Sequence, residues 1–199
     1  MNKMTGKEFV ELIKKDPSWC LGIKEETEII TNVNLGNSNI KHLSPLLTFK
    51  GKNIDGWVAS FYNCKKLKIA TGTFHGLVNF ADSGIEKIEN LNVKETNIYG
   101  TSCTFYHCKN LKVATGTFAG AVIFDNSGVE TIKDLIVVKR NKKEEGALFF
   151  NCNIKYVPKK YRKKGFLFNT EIVKNSIKKD NITKETINKI KAETNNIEI

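Results

Sequence analysis

Phenylalanine recurs along the chain at a regular interval. Phe61, Phe80, Phe105, Phe124, Phe149 and Phe168 follow one another at steps of 19, 25, 19, 25 and 19 residues. Leu35, 26 residues before Phe61, opens a segment of the same kind. Three residues after each of the first six of these apolar positions stands a small residue: Ser38, Cys64, Ser83, Cys108, Ser127 or Cys152. Another apolar residue follows a few positions on. Neither a plain 2-residue nor a plain 3.6-residue period describes this pattern; a repeat does.

Comparison of the chain with itself gives the repeat length. Residues 59–76, ASFYNCKKLKIATGTFHG, match residues 103–120, CTFYHCKNLKVATGTFAG, at a shift of 44. The match continues through LVNFADSGIEKIENLNV and AVIFDNSGVETIKDLIV, and a third copy opens with ALFFNCNIKYV at Ala147. The 44-residue unit is itself double. A half-unit of about 22 residues cannot bury its apolar side alone, so neighbours must stack and their Phe, Cys or Ser, and Leu or Ile positions must form ladders. Short β-prone runs at Trp57–Phe61 and Ala121–Phe124 predict strands paired in parallel along the stack. Gly76, Gly84, Gly100, Gly120, Gly128 and Gly146 predict turns with positive φ. The long turns 50–55, 94–99 and 139–145 collect the variable residues on one face.

The ends differ from the repeats. Residues 5–15, TGKEFVELIKK, predict a helix with a Thr5/Glu8 capping box and an apolar stripe of Phe9, Leu12 and Ile13, stopped by Asp16-Pro17. Such a helix caps the exposed end of a stack. A second, short helix is predicted from Thr183, with Ile182, Ile187 and Ile190 as a thin stripe. The fold class expected is mainly β: a parallel solenoid of about seven leucine-rich-repeat-like coils. Its parts are an N-terminal helical cap over 1–28, the repeats over 29–177 and a C-terminal helix or tail over 178–199.

Phe61-x-x-Cys64-x-x-Leu67 and Phe105-x-x-Cys108-x-x-Leu111 resemble the AFxxCxxLxxI core of BspA-type leucine-rich repeats. The resemblance covers residues 29–177. It implies a binding module rather than a catalyst, since members of that family are mostly binding modules, often at cell surfaces.

Charge adds a candidate surface. The chain has 32 Lys and Arg against 21 Asp and Glu, a net charge of +11. Only Arg140 and Arg162 are arginines, and a lysine supplies a point charge where an arginine reads phosphate or guanine with two hydrogen bonds. Residues 139–164 hold Lys139, Arg140, Lys142, Lys143, Lys155, Lys159, Lys160, Arg162, Lys163 and Lys164 against Glu144 and Glu145. This cluster suits an acidic protein or, in an alternative reading, nucleic acid or a nucleoprotein machine that the chain would inhibit. A protein partner is the favoured expectation, with Tyr62, Tyr99 and Tyr106 as exposed aromatic contacts beside the long turns.

No catalytic constellation emerges. His42, His75 and His107 fall at positions where a solvated surface residue is expected; at the last two, other copies carry Ala119 and Asn63. ATGTF at 70–74 and 114–118 lacks the Gly-Lys of a phosphate loop. Five cysteines without a CxxC pair predict neither a disulfide framework nor zinc, and Cys64, Cys108 and Cys152 are expected buried in the ladder. No cofactor is called for. Neither a membrane-spanning run nor an N-terminal apolar h-region is present, and a cytoplasmic location is the expectation.

Overall fold

The Phe-x-x-Cys-x-x-Leu segment is a pair of tight turns. In the computed structural model, which describes residues 1–195 (the side chains of Thr170 and of 189–195 excepted), Cys64 N–H donates to the Phe61 carbonyl and Leu67 N–H to the Cys64 carbonyl, both at 3.2 Å. Residues three apart therefore point the same way, and Phe61, Cys64 and Leu67 are all fully buried. The residue before the small position takes left-handed backbone: Asn37, Asn63, Asp82, His107, Asn126 and Asn151 have φ between 54° and 61°. Asn, Asp and His are the side chains that tolerate this region best. The turn conformation expected of glycine thus belongs largely to these residues. Gly84, Gly120, Gly128 and Gly146 lack positive φ. Gly84 and Gly128 serve close approach instead, because a Cβ there would collide with the carbonyl oxygen of Lys65 or Lys109 one turn back.

From these turns the chain passes back and forth between two sheets. The first sheet holds β1 (Asn2–Met4) and β2 (Thr27–Ile29); β3 (Val33–Asn34) opens the second. Thereafter β4 (Leu47–Phe49), β6 (Ile69–His75), β8 (Lys87–Glu95), β10 (Val113–Phe118) and β12 (Thr131–Val137) join the first sheet. β5 (Trp57–Ser60), β7 (Leu77–Asn79), β9 (Thr101–Thr104), β11 (Ala121–Ile123), β13 (Ala147–Leu148) and β14 (Phe166–Leu167) join the second. Each sheet has seven strands, and every pairing is parallel, as the runs around Trp57 and Ala121 predicted. Both ATGTF segments lie within strands, with Gly72 and Gly116 at register shifts.

The core between the sheets is a column of rings. Phe61, Phe80, Phe105, Phe124, Phe149 and Phe168 stack in that order, near-parallel, with centroids 4.9 to 5.3 Å apart. The 19- and 25-residue steps are therefore the contour lengths of alternate short and long passes between neighbouring rungs. A second set fills the space beside the column: Phe49 stacks on Phe74 at 4.6 Å, and Phe118 stands edge-on to Phe105 and Phe124.

Both ends are closed by helices. Thr5 Oγ1 accepts from Glu8 N–H and Glu8 Oε2 from Thr5 N–H, the reciprocal cap of α1 (Gly6–Lys15). Phe9 and Ile13 of α1 are buried, and Phe9 meets Phe49 edge-on at 5.7 Å. At the other end α2 (Thr170–Asn195) is 26 residues long, not short. It begins well before Thr183 and crosses the boundary expected at 177/178. Asn169 Oδ1 accepts from Glu171 N–H at its start, and no Gly or Pro interrupts it. Ile172 and Val173 pack on the core, whereas Ile182 and Ile187, expected to form the inward stripe, are exposed. The Ile190 side chain lies outside the described residues. Among those residues no helix is long and apolar enough to cross a membrane.

Candidate partner-binding site

Every second pass from the first sheet to the second is extended by a loop. Loops 50–56, 96–100 and 138–146 join β4 to β5, β8 to β9 and β12 to β13, whereas Gly76 alone joins β6 to β7. Each loop is locked by an asparagine. Asn53 Oδ1 accepts from the N–H groups of Asp55 (3.0 Å) and Trp57 (2.9 Å), Asn97 Oδ1 from Tyr99 (3.0 Å) and Thr101 (2.9 Å), and Asn141 Oδ1 from Lys143 and Glu145 (2.9 Å each). The three loops stack as a ridge. Gly56 and Gly100, both at φ 86°, let the chain pass within reach of Asn97 and Asn141; a Cβ there would lie 2.7 and 2.8 Å from the next loop's Cα.

The ridge carries apolar side chains into solvent. Ile54 is 95% exposed, Ile98 50% and Tyr99 63%. Lys142 and Lys143 hold the corresponding places in the third loop and are exposed. A large apolar side chain left in water on a backbone this well hydrogen-bonded loses little entropy when a partner covers it. Tyr99, Lys139, Arg140, Lys142 and Lys143 of the expected site therefore share one ridge.

Tyr62 and Tyr106 lie elsewhere. They follow Phe61 and Phe105 at the opposite corner, where the chain returns from the second sheet to the first. Both are exposed, and Phe150, 44 residues after Tyr106, continues their row. The reading from tyrosines alone missed Phe150, although the 44-residue period points to it. It likewise missed Ile54 and Ile98, which occupy one repeat position.

The basic cluster is divided and partly neutralised. Glu144 pairs with Arg140 (3.2 Å) and with Lys164 (3.5 Å), and Lys160 approaches Asp134 at 3.9 Å. Lys163 lies over the Phe166 ring and Lys160 over Tyr161. Arg162 departs from its expected place in an exposed patch: it is largely buried, donating to Asp180 Oδ2 and to the Val157 carbonyl, both at 2.7 Å. Burial follows from its position under α2, where with Tyr156 it holds Asp180 and keeps that carboxyl below its ordinary pKa. Lys139, Lys142, Lys143 and Lys159 form no ion pair among the described residues and are exposed.

The thiols are turned away from chemistry. Cys64, Cys108 and Cys152 each donate to a carbonyl at 3.0 Å (Leu35, Phe80 and Phe124) and touch Ser38, Ser83 and Ser127 at 3.4 Å. Burial pushes the Cys108 thiol up to about 11 and the Cys20 thiol to about 12, opposite to an activated nucleophile. Cys152 is half-buried rather than buried, because only the final turns cover it. The histidines are half-buried, not freely solvated: His75 meets Glu95 at 3.1 Å and His107 meets Asp82 at 3.3 Å.

Comparison of the chain with protein-family models, with curated proteins and with solved structures finds no match.

Proposed function

We propose that the chain is a parallel solenoid, similar to BspA-type leucine-rich repeats, that binds a partner protein through the ridge of stacked loops and catalyses no reaction. The observation that carries this reading is the set of exposed Ile54, Ile98 and Tyr99 on the first two of three stacked loops, each loop locked by an asparagine. Apolar and aromatic anchors on a rigid frame, with Lys142 and Lys143 at one end, fit a partner surface that is apolar at its centre and acidic at its rim. Five free cysteines support a reducing compartment such as the cytoplasm. Nucleic acid is the weaker reading, since both arginines are engaged with carboxylates.

The test places a photo-crosslinking residue at Tyr99 and, as a control, at Glu89 on the first sheet. A partner protein crosslinked from Tyr99 but not from Glu89, and lost in Ile54→Ser/Ile98→Ser, is the expected result. Crosslinks that need Lys159, Lys160, Lys163 and Lys164 and vanish with nuclease treatment would favour the nucleic-acid reading instead.

A further inference from the structure

We propose that the outer face of the second sheet, at its N-terminal end, is a binding site for a neutral saccharide. A groove of about 470 Å³ opens there between the first long loop and the Tyr62 turn, with β3, β5 and β7 as its floor. This volume is in the range of small-ligand sites. None of its eleven lining residues is charged, in a chain where 27% are, and five are asparagines. Trp57 and Tyr62 supply the aromatic surface.

Three of the five asparagines are oriented by the backbone. Asn34 Oδ1 accepts from Gly36 N–H (3.0 Å), Asn79 Oδ1 from Ala81 N–H (2.8 Å), and Asn53 Oδ1 from Asp55 and Trp57 N–H. An N–H donor fixes which end of the amide is oxygen. The Nδ2 groups of Asn34, Asn53 and Asn79 are consequently the free ends, and none has a partner among the described residues. The Ser60 hydroxyl lies on the same floor.

A ligand for this groove must offer hydrogen-bond acceptors to several fixed amide donors. It must carry no net charge, since no lysine lines the wall. It must also present an apolar patch to an indole and a phenol ring. A pyranose meets all three demands: hydroxyl oxygens at its rim, no charge, and C–H bonds on one face that pack on aromatic rings. The groove shares Asn53 with the first loop of the ridge, but its test is separate from protein binding, because it is assayed with pure saccharides and no partner protein.

Two asparagines permit a selective variant. Asn34→Asp/Asn79→Asp keeps an oxygen to accept from Gly36 and Ala81 N–H while replacing each free donor by an acceptor. The wild-type chain is applied to a glycan array whose neutral members include cellotriose, maltotriose, mannotriose and chitotriose. The strongest is then titrated against the Trp19→Phe protein, in which Trp57 is the remaining tryptophan. Saturable binding with a shift in Trp57 emission, weakened at least tenfold in the double variant at unchanged Tm, is the expected result. Binding by none of the neutral glycans, binding confined to anionic ones, or equal affinity in the double variant would overturn the proposal.

Discussion

Replacing Phe105 by alanine removes the middle ring of the column. Phe105 is fully buried, stacks on Phe80 and Phe124 at 5.3 Å on either side, and meets Phe118 edge-on at 6.4 Å. Deleting a buried Phe side chain costs about 3–5 kcal/mol. Aromatic pairs contribute about 0.5–1.5 kcal/mol each beyond area, so loss of two stacks and one edge contact puts Phe105→Ala near 5 kcal/mol. Phe168 stacks on one neighbour only, Phe149 at 4.9 Å, and is half-buried. With one pair lost and half the burial, Phe168→Ala should cost about 2 kcal/mol. For a chain of this length each kcal/mol shifts Tm by roughly 2–4 °C. Calorimetry should therefore show a fall of about 10–20 °C for Phe105→Ala and about 4–8 °C for Phe168→Ala. Hydrogen exchange should place the second change in the last turns and α2 only. Equal losses at the two positions would refute a linear stack in which interior rungs have two neighbours and terminal rungs one.

Other expectations follow from particular contacts. Asn97→Ala should lower stability by about 1–2 kcal/mol in denaturant titrations, since two backbone N–H groups lose their acceptor, and should weaken partner crosslinking at Tyr99. In native protein Cys152 should react with a maleimide first, and Cys64, Cys103 and Cys108 only on unfolding; rapid labelling of all four would contradict the ladder. Because burial raises the Cys108 thiol from 9.0 to about 11, folding favours its protonated form. Its contribution is complete below pH 9 and lost as pH rises toward 11, so Cys108→Ala should flatten the decline of stability across that window. Asp180→Asn should speed hydrogen exchange across α2, with the strands unaffected, by removing the carboxylate that Arg162 and Tyr156 hold.

The stacking order was legible because the same side chain recurs wherever the core demands a ring of one size. Phe61 through Phe168 needed only counting, and the Thr5/Glu8 cap needed only a local pattern. The left-handed turn residues were harder to read. The position is filled by Asn, Asp or His, three residue types with one backbone requirement, so no single letter marks it in every turn. The start of α2 was hidden for another reason. Residues 170–182 carry few apolar side chains, and beside the packing of Ile172 and Val173 they are held by Val157 N–H on Ser176 Oγ (2.8 Å) together with Arg162 on Asp180, contacts between segments about twenty residues apart. The division of the basic cluster is of the same kind: Asp134 meets Lys160 and Asp180 meets Arg162 from outside the 139–164 segment, places that composition alone cannot relate to it.

The doubling of the repeat has a physical reason in what adjacent turns must offer each other. Parallel strands put equivalent positions about 4.8 Å apart along the stack. A strict 22-residue repeat would set each lysine on a lysine, and like charges so placed repel. Alternation turns these rows into complementary pairs. Lys68 meets Glu86 at 2.8 Å and Lys112 meets Glu130 at 2.7 Å, each pair joining two consecutive turns. At the left-handed position Asn63 donates to Asn37, His107 meets Asp82, and Asn151 donates to Asn126. In the interior each Cys takes a Ser neighbour rather than a second Cys, which keeps thiols from facing thiols along the row. Exposed ion pairs of this sort contribute little individually. Their value lies in register: a one-turn slip would bring Lys68 against Lys112 and Glu86 against Glu130. The same alternation leaves room for a protruding loop on every second turn only, and these loops stack directly on one another, Ile98 N–H donating to the Asp55 carbonyl at 3.3 Å. The spacing that presents Ile54 and Ile98 to a partner and the spacing that pairs Lys68 with Glu86 are thus consequences of one two-turn period.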